Sequence, residues 1–232
     1  MATETAPAPT ETDAEHDHHP AHLEHHFVSS EQQFDSAKLG MWVFLITEVL
    51  LFSGMFVAYA VYRQWNPGAF AEASGTLDQI FGAVNTVVLL TSSLTVALSI
   101  HNIKQDKVKR CIYYLLSTLA LAGVFMVIKY FEYTAKFEHG VFPGAAFDPH
   151  GAHYEHLAGM DAAALFFSIY FVMTGIHGIH VLAGMVVIGT IAFMAWRGSF
   201  SSEWYTPVEL TGLYWHLVDI VWIFLFPLLY LI

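Results

Sequence analysis

The stretch AAALFFSIYFVMTGIHGIHVLAGMVVIGTIAFMAW (162–196) decides the fold of this chain. It contains no Asp, Glu, Lys or Arg, and it is longer than the roughly 20 apolar residues that a helix needs to cross a bilayer. A helix of this length either tilts in the bilayer or extends beyond it. The stretch therefore predicts a membrane-spanning helix.

Four more apolar segments predict the same structure. Of all residues, 56% are hydrophobic and only 12% are charged, whereas a soluble domain carries about 25% charged residues. The predicted fold is all-α, and we predict a polytopic membrane protein with five transmembrane helices. In chain order, the predicted spans cover residues 39–62, 79–103, 111–137, 162–196 and 207–232.

The residues before the first span have a different composition. Residues 1–37 are rich in Ala, Pro, Thr, Glu and His, and eight of the 20 acidic residues lie there. Because this segment has little apolar surface to bury, we predict a disordered, acidic, His-rich tail. Residues 38–232 are then one five-helix transmembrane domain, in which 138–161 form the longest loop.

The distribution of basic residues predicts the orientation. Only Arg63 and Lys136 fall on the side opposite the tail. By the positive-inside rule, the N-terminus is cytoplasmic, and the C-terminus and the loop 138–161 are periplasmic. The basic residues on the side of the tail are Lys38, Lys104, Lys107, Lys109, Arg110 and Arg197.

Several function classes are excluded by what the sequence lacks. The net charge of −11 and the absence of a basic surface argue against a nucleic-acid partner. Cys111 is the only cysteine, so no intrachain disulfide can form. There is no Walker A loop, no dinucleotide-binding glycine pattern and no C-x-x-C-H haem attachment motif. We therefore expect no cofactor and no redox chemistry in this chain.

Glu48 lies near the middle of the first span, where a carboxyl group is energetically unfavourable. An acidic residue at the centre of a spanning helix costs about 2.5–3.5 kcal/mol. Two interpretations stay open, a proton-linked carboxyl group and a protonated glutamate that is hydrogen-bonded within the bundle. We predict a neutral Glu48 that is bonded to His177 or His180.

Polar pairs with a three-residue spacing occur in the other spans. Lys129 and Glu132 share a helical face and predict a local ion pair. His177 and His180 also share a face, and we expect hydrogen bonds to a carboxyl group, from Glu48 or Glu132. A metal site is the weaker alternative, because two histidines without further ligands are a poor zinc signature.

The last span carries His216 and Asp219 on one face, again three residues apart. We expect both to face protein rather than lipid, with Asp219 satisfied by His216 or by a partner chain. Outside the spans, a His-rich loop offers a weak metal site. Its candidate ligands are His150, His153 and His156.

Five blocks, in this order and spacing, resemble subunit III of the haem-copper oxidases, and together they cover about residues 38–232. The shorter blocks are FEY (131–133), GIHGIHVLAGM (175–185) and YWHLVDIVW (214–222). The longer ones are KLGMWVFLITEVLLFSGMFVAY (38–59) and VNTVVLLTSSLTVALSI (84–100). The five predicted spans are typical of the short bacterial form, which lacks two N-terminal helices.

The resemblance implies a non-catalytic subunit of a proton-pumping cytochrome c oxidase in the bacterial inner membrane. The expected partners are the catalytic subunit I, subunit II, other small membrane subunits and a respiratory supercomplex. Haems and copper would reside in those partners, whereas this chain would support proton uptake and bind phospholipid. Glu48 matches the family's reactive intramembrane carboxyl group, and Arg197 is a weak lipid-binding candidate. Further family positions are Glu132, His177, His180, Glu209, Trp215, His216, Asp219 and Trp222.

Three alternatives stay open at this stage. Within the family, the complex could be a quinol oxidase or resemble a nitric oxide reductase, because other subunits select the electron donor. A proton-coupled transporter would use Glu48, Lys129, Glu132 and His177 as a relay, but we find no inverted repeat. A haem-binding membrane anchor would use His177, His180 or His216 as axial ligands.

Overall fold

The structure is a computed structural model that describes residues 27–232, and residues 1–26 of the predicted tail lie outside it. Within the described chain every regular element is helical, which confirms the all-α prediction. Five helices are long and apolar enough to cross a membrane, as predicted. The helices are α1 (Ser30–Trp65), α2 (Pro67–Gly75), α3 (Gln79–Ile103), α4 (Val108–Glu138), α5 (Asp161–Trp196) and α6 (Thr206–Tyr230).

Helix α1 begins earlier than predicted, because residues 30–37 are helical rather than part of the tail. Ser29 is the N-cap, and its hydroxyl accepts a hydrogen bond from the backbone N–H of Gln32 at 3.1 Å. In return, the Gln32 side chain accepts one from the backbone N–H of Val28 at 2.9 Å. This arrangement resembles a capping box, which satisfies the free N–H groups at a helix start. Local capping therefore extends the helix beyond its apolar segment.

The connection between the first two spans contains α2, a short helix that we did not predict. Pro67 stands at its start, where the missing N–H of proline is tolerated. Phe70 packs edge-on against Phe166 of α5, with ring centroids 5.4 Å apart. The Ser74 hydroxyl donates to the backbone oxygen of Leu229 at 2.8 Å. Helix α2 thus closes one end of the bundle, which we call the loop end because it also carries residues 139–160.

Helices α3 to α6 form the core of the bundle. On α3 the buried positions recur every three or four residues, and many hold small or polar side chains. Small residues let membrane helices approach closely. Gly184 of α5 shows this directly, because a Cβ there would lie 2.7 Å from the ring of Trp215 on α6. The buried α3 residues are Gly82, Asn85, Leu89, Ser92, Val96, Ser99, Asn102 and Ile103.

Helix α1 packs on the outside of this core along one narrow stripe. Its buried residues are Leu45, Phe52 and Tyr59, which are seven residues apart and so share a face. The Tyr59 hydroxyl donates to the backbone oxygen of Leu228 at 2.6 Å. Most of the remaining apolar surface of α1 is exposed. The stripe places Glu48, one turn after Leu45, against the core.

At the other end of the bundle, which we call the tail end, Asp106 joins the connection between α3 and α4 to the connection between α5 and α6. This residue has φ 55°, and its carboxylate accepts from the Ser202 backbone N–H at 2.7 Å and from the Ser202 hydroxyl at 2.6 Å. These two bonds lower the pKa of the Asp106 carboxyl group below its ordinary value. The ionised form therefore stabilises the contact between the connections.

We expect this contact to weaken in acid. The pKa of the Asp106 carboxyl group is lower in the folded protein than in the unfolded chain, where it is about 3.9. The stabilisation is therefore complete at a pH above the unfolded pKa, and it is lost as the pH falls through the folded pKa. Hydrogen exchange of residues 199–205, corrected for intrinsic rates, should therefore rise below about pH 4. The Asp106→Ala protein should exchange fast at every pH, whereas Asp106→Asn, which tolerates positive φ, should be intermediate. Exchange that is independent of pH would contradict this assignment.

Candidate functional site

Glu132 is the centre of a buried cluster at the loop end, which we call the lysine–glutamate cluster (Lys129, Glu132, Lys136, Tyr170 and Tyr230). Lys129 donates to Oε2 of Glu132 at 2.8 Å, and Lys136 contacts Oε1 at 3.1 Å. The hydroxyls of Tyr170 and Tyr230 donate to Oε1 at 2.8 and 2.6 Å. Four donors on three helices therefore converge on one carboxylate.

The charges of this cluster do not cancel. It holds two ammonium groups and one carboxylate, and Lys129, Glu132 and Lys136 are only 7%, 4% and 2% exposed. Aromatic rings offset part of the excess, because the Lys129 ammonium lies 4.6 Å from the ring centroid of Trp222. The predicted pair of Lys129 and Glu132 is present, and the structure adds Lys136. Spacing could have indicated Lys136, four residues after Glu132, but the tyrosines come from other helices.

Glu48 and His180 form a second polar pair, which is half-buried. Oε2 of Glu48 lies 2.8 Å from Nε2 of His180, and both side chains are about one-sixth exposed. Nδ1 of His180 lies 2.8 Å from the backbone oxygen of Ile176, which can only accept, so Nδ1 carries a proton. Nε2 then either accepts from a protonated Glu48 or donates to a carboxylate. The two groups thus hold one proton between them.

His177 forms a hydrogen bond with neither Glu48 nor Glu132, the two carboxyl groups that were predicted as its partners. It is 1% exposed, and its ring lies between Phe125 and Trp222, at centroid distances of 5.6 and 5.3 Å. Within the described part of the chain, neither ring nitrogen has a hydrogen-bond partner. The i, i+3 spacing places His177 and His180 on one helical face, but their rings contact different residues.

The expected bond between His216 and Asp219 is absent from the described residues. Instead, Nδ1 of His216 lies 2.7 Å from the Ser93 hydroxyl on α3. Asp219 is 1% exposed, and among the described residues neither of its oxygens has a partner at hydrogen-bonding distance. The predicted bond of Asp219 to His216 is therefore wrong, and its contact with a partner chain stays a prediction. The prediction that Asp219 faces protein is confirmed.

The two signature tryptophans stabilise the helix contacts around these groups. The indole N–H of Trp215 donates to the Ser92 hydroxyl at 3.0 Å, and that of Trp222 donates to the Thr86 hydroxyl at 3.1 Å. Both rings are fully buried. Each tryptophan therefore joins α6 to α3 through a hydrogen bond and a large packed surface.

Glu209 and Arg197 lie at the tail end. Glu209 is 3.6 Å from the ammonium groups of both Lys38 and Lys104, so it links α6 to α1 and α3. Arg197 ends α5 and is exposed, with its guanidinium 5.1 Å from the ring centroid of Phe193. Among the described residues, Arg197 has no contact that would indicate a bound ligand. Its role in lipid binding stays a prediction.

The loop histidines are not assembled as a metal site. His150 places its two ring nitrogens 2.9 and 3.1 Å from the backbone oxygens of Asp148 and Glu138. Nε2 of His153 lies 3.2 Å from the backbone oxygen of Thr76, and His156 follows on a separate turn. Across residues 27–232, no three His, Cys, Asp or Glu side chains are grouped as metal ligands. Backbone oxygens thus contact both ring nitrogens of His150 and one of His153.

Comparisons with known proteins agree with the resemblance seen in the sequence. The family model described as Cytochrome c oxidase subunit III matches residues 23–162 and 153–232. The cytochrome c oxidase subunit 3 of Thermostichus vulcanus is 31% identical over 204 residues, which cover 85% of this chain and 88% of that protein.

Two other relatives have different names. The haem-copper oxidase subunit I+III of Aeropyrum pernix is 29% identical over 209 residues, covering 85% of this chain and 23% of that protein. The quinol oxidase subunit 3 of Bacillus subtilis is 26% identical over 219 residues, covering 90% of this chain and 96% of that protein. The similarity therefore does not distinguish the two kinds of oxidase.

Proposed function

The chain belongs to the cytochrome c oxidase subunit III family, and we propose that it is the non-catalytic subunit III of a proton-pumping oxidase that reduces O₂ with electrons from cytochrome c. The observation that carries this proposal is the family match, which extends over all five spanning helices. The more similar of the two separate subunit 3 relatives described above is a cytochrome c oxidase subunit. A quinol oxidase is the second candidate, and the Bacillus relative supports it.

We place the redox centres of the complex in the partner subunits. An axial haem ligand needs a free imidazole nitrogen facing a wide cavity. His180 has both nitrogens in hydrogen-bonding contacts, and the ring of His177 lies between two aromatic side chains. His216 contacts Ser93 through Nδ1. The intramembrane histidines of this chain therefore fit helix packing better than haem ligation.

A proton-coupled transporter has less support. Its proposed relay would need Glu48, His177, Lys129 and Glu132 in sequence, but Glu48 contacts His180, and His177 has no hydrogen-bond partner within the described chain. The five spanning helices are also continuous, whereas many transporters use broken helices at the substrate site.

We further propose a subunit arrangement and an orientation. The name of the Aeropyrum relative, subunit I+III, supports a close association of this chain with subunit I. Subunit II, small membrane subunits, phospholipid and a supercomplex are further proposed partners. The basic residues at the tail end favour a cytoplasmic N-terminus in a bacterial inner membrane, with the loop end periplasmic.

In this complex, Glu48 would act together with His180 in supporting proton uptake. We expect the Glu48→Gln protein to assemble with its partners, because the Gln amide N–H can donate to Nε2 of His180 and only one hydrogen bond of about 1 kcal/mol is altered. Glu48→Lys should assemble poorly, since its ammonium group would be a charge within the bundle beside His180, without a carboxylate partner. The measurement is the amount of partner subunit that co-purifies with the tagged chain.

A matched control separates this effect from charge reversal in general. Glu31 is exposed in the first turn of the same helix. Glu31→Lys should therefore assemble as the unaltered protein does. Poor assembly of Glu48→Gln would show that the pair depends on the carboxyl group itself.

The proposed function is tested by mild detergent purification through a tag on this chain. We expect co-purification of a large catalytic subunit, with haem bands in the reduced-minus-oxidised spectrum. An associated c-type cytochrome would support the cytochrome c assignment, and its absence together with quinol-dependent O₂ consumption would support the quinol oxidase. A folded but colourless chain without partners would contradict both.

A further inference from the structure

A surface at the tail end carries cations that the described chain leaves without a carboxylate partner. It comprises the end of the connection between α3 and α4 and the first turn of α4, and we call it the basic face. Its basic residues, all exposed, are Lys107, Lys109 and Arg110. Within residues 27–232, the ion pairs at the tail end join Glu209 to Lys38 and Lys104, and none of them includes the basic face.

The local structure does not offset this positive charge. Lys107 is the N-cap of α4, and its ammonium group donates to the side-chain oxygen of Gln105, which is neutral. The nearby carboxylate of Asp106 accepts its hydrogen bonds from Ser202. The first turn of α4 contains no acidic residue, although an acidic side chain is favourable at the positive end of a helix dipole. The basic face therefore attracts an anionic partner.

The chain itself contains a segment of the opposite charge, residues 1–26, which we call the acidic segment. It contains six acidic residues and neither Lys nor Arg, so its side-chain charge is −6 when its histidines are neutral. The six acidic residues are Glu4, Glu11, Asp13, Glu15, Asp17 and Glu24. The acidic segment and the basic face are therefore complementary in charge.

The acidic segment joins the described chain close to the basic face. It ends just before α1, which begins at Ser30. Phe34, early in α1, packs edge-on against Tyr205 with ring centroids 6.4 Å apart. The ammonium group of Lys104 lies 4.9 Å from the centroid of the same Tyr205 ring, and the basic face follows Lys104 directly in the chain. A segment of 26 residues, at up to about 3.3–3.6 Å per residue, is long enough to reach this face.

The other surface near the start of α1 has the same sign of charge as the acidic segment. Glu31 and Asp35 on α1 and Glu203 in the connection between α5 and α6 are exposed. Glu31 and Glu203 also line a pocket of about 200 Å³ between these two elements. Because like charges repel, the acidic segment is directed away from this pocket and towards the basic face.

We propose that the acidic segment docks on the basic face of its own chain. Its carboxylates form ion pairs with Lys107, Lys109 and Arg110, and they offset the positive end of the α4 dipole. An exposed ion pair contributes little by itself, so the contact needs several pairs and weakens in salt. The contact is independent of the proposed oxidase function.

The test is cross-linking of the full chain in nanodiscs of neutral phosphatidylcholine, with a water-soluble carbodiimide that joins carboxyl groups directly to amines. Peptide mass spectrometry then identifies the lysines that are joined to the acidic segment. We expect cross-links mainly to Lys107 and Lys109. Without a docking site, the acidic segment would react mainly with Lys38, the lysine nearest to it in the sequence, whose side chain is 36% exposed. Cross-links mainly to Lys38 would therefore overturn the proposal.

A pair of matched variants tests the role of the basic face. Arg110→Gln removes one charge from this face but no lysine, and at low salt it should lower the yield of cross-links to Lys107 and Lys109 about threefold. Arg63→Gln, the same change in the last turn of α1 at the loop end, is the control and should leave the yield unaltered. Equal yields from the two variants would contradict docking through charge.

Anionic lipid is the competing partner of the basic face. We expect the cross-links to persist in nanodiscs that contain equal amounts of phosphatidylcholine and phosphatidylglycerol, because the acidic segment is tethered beside the basic face and its effective concentration there is high. Loss of the cross-links in these nanodiscs would overturn the proposal, since the basic face would then bind the membrane surface.

Discussion

The Glu132→Gln protein is expected to lose about 3–5 kcal/mol of its free energy of unfolding, which is the effect of removing one partner from a buried ion pair. Gln preserves the shape of the side chain and an oxygen that can accept from Tyr170 and Tyr230. It removes the charge, so Lys129 and Lys136 would face each other within a buried site without a carboxylate. The measurement is thermal unfolding in detergent, followed by Trp fluorescence.

Two further proteins show whether unpaired charge causes the loss. In the triple variant Lys129→Met, Glu132→Gln, Lys136→Met, every member of the ionic network is neutral, so most of the stability should return, since apolar replacements of buried ion pairs are often neutral. Glu138→Gln, an exposed change at the end of the same helix, should leave unfolding unaltered. If the triple variant were as unstable as Glu132→Gln, the loss would stem from altered packing.

The second large effect is expected at Gly184, where α5 packs closely against Trp215 and Tyr214 of α6. A Cβ at this position would lie 2.7 and 2.8 Å from ring atoms of Trp215, which is fully buried and hydrogen-bonded to Ser92. Gly184→Leu should therefore separate the helices and destabilise the protein by about 1–3 kcal/mol or more. The Trp215 ring cannot move aside without breaking its bond to α3.

Gly189 provides the control on the same helix, because a Cβ there meets no other atom within 4 Å. Gly189→Leu should be stabilising by up to about 1 kcal/mol, since Gly is a poor helix former. The two substitutions thus have opposite expected signs in unfolding measurements. Equal effects would show that α5 and α6 are not held together at Gly184.

The three glycines of the block 175–185 do not all lie at a helix contact. Small residues in membrane helices often allow neighbouring helices to approach closely. A Cβ at Gly175 or Gly178 would meet nothing within 4 Å, and both residues line an open groove between α4 and α5. Only Gly184 of the three lies at a contact. Composition cannot distinguish these cases, because it does not specify how a helix is rotated about its axis.

Other differences have a similar origin. Helix α2 was missed because nine residues with Gly, Ser and Pro carry little helical signal, and its stability comes from the burial of Phe70, Ala73 and Ser74 against other helices. The early start of α1 was readable from Ser29 and Gln32, because a capping pair is a local feature.

By itself, the sequence determined the five spanning helices and the presence of charged groups among them. This was possible because membrane insertion depends on the apolar content of each segment, which is a local property. Only the tertiary structure decided the partner of each group: His180 rather than His177 for Glu48, Ser93 for His216, two tyrosines for Glu132, and none within the described chain for Asp219. A spacing of three residues places side chains on one helical face, but the rotation of each helix against its neighbours determines what that face meets.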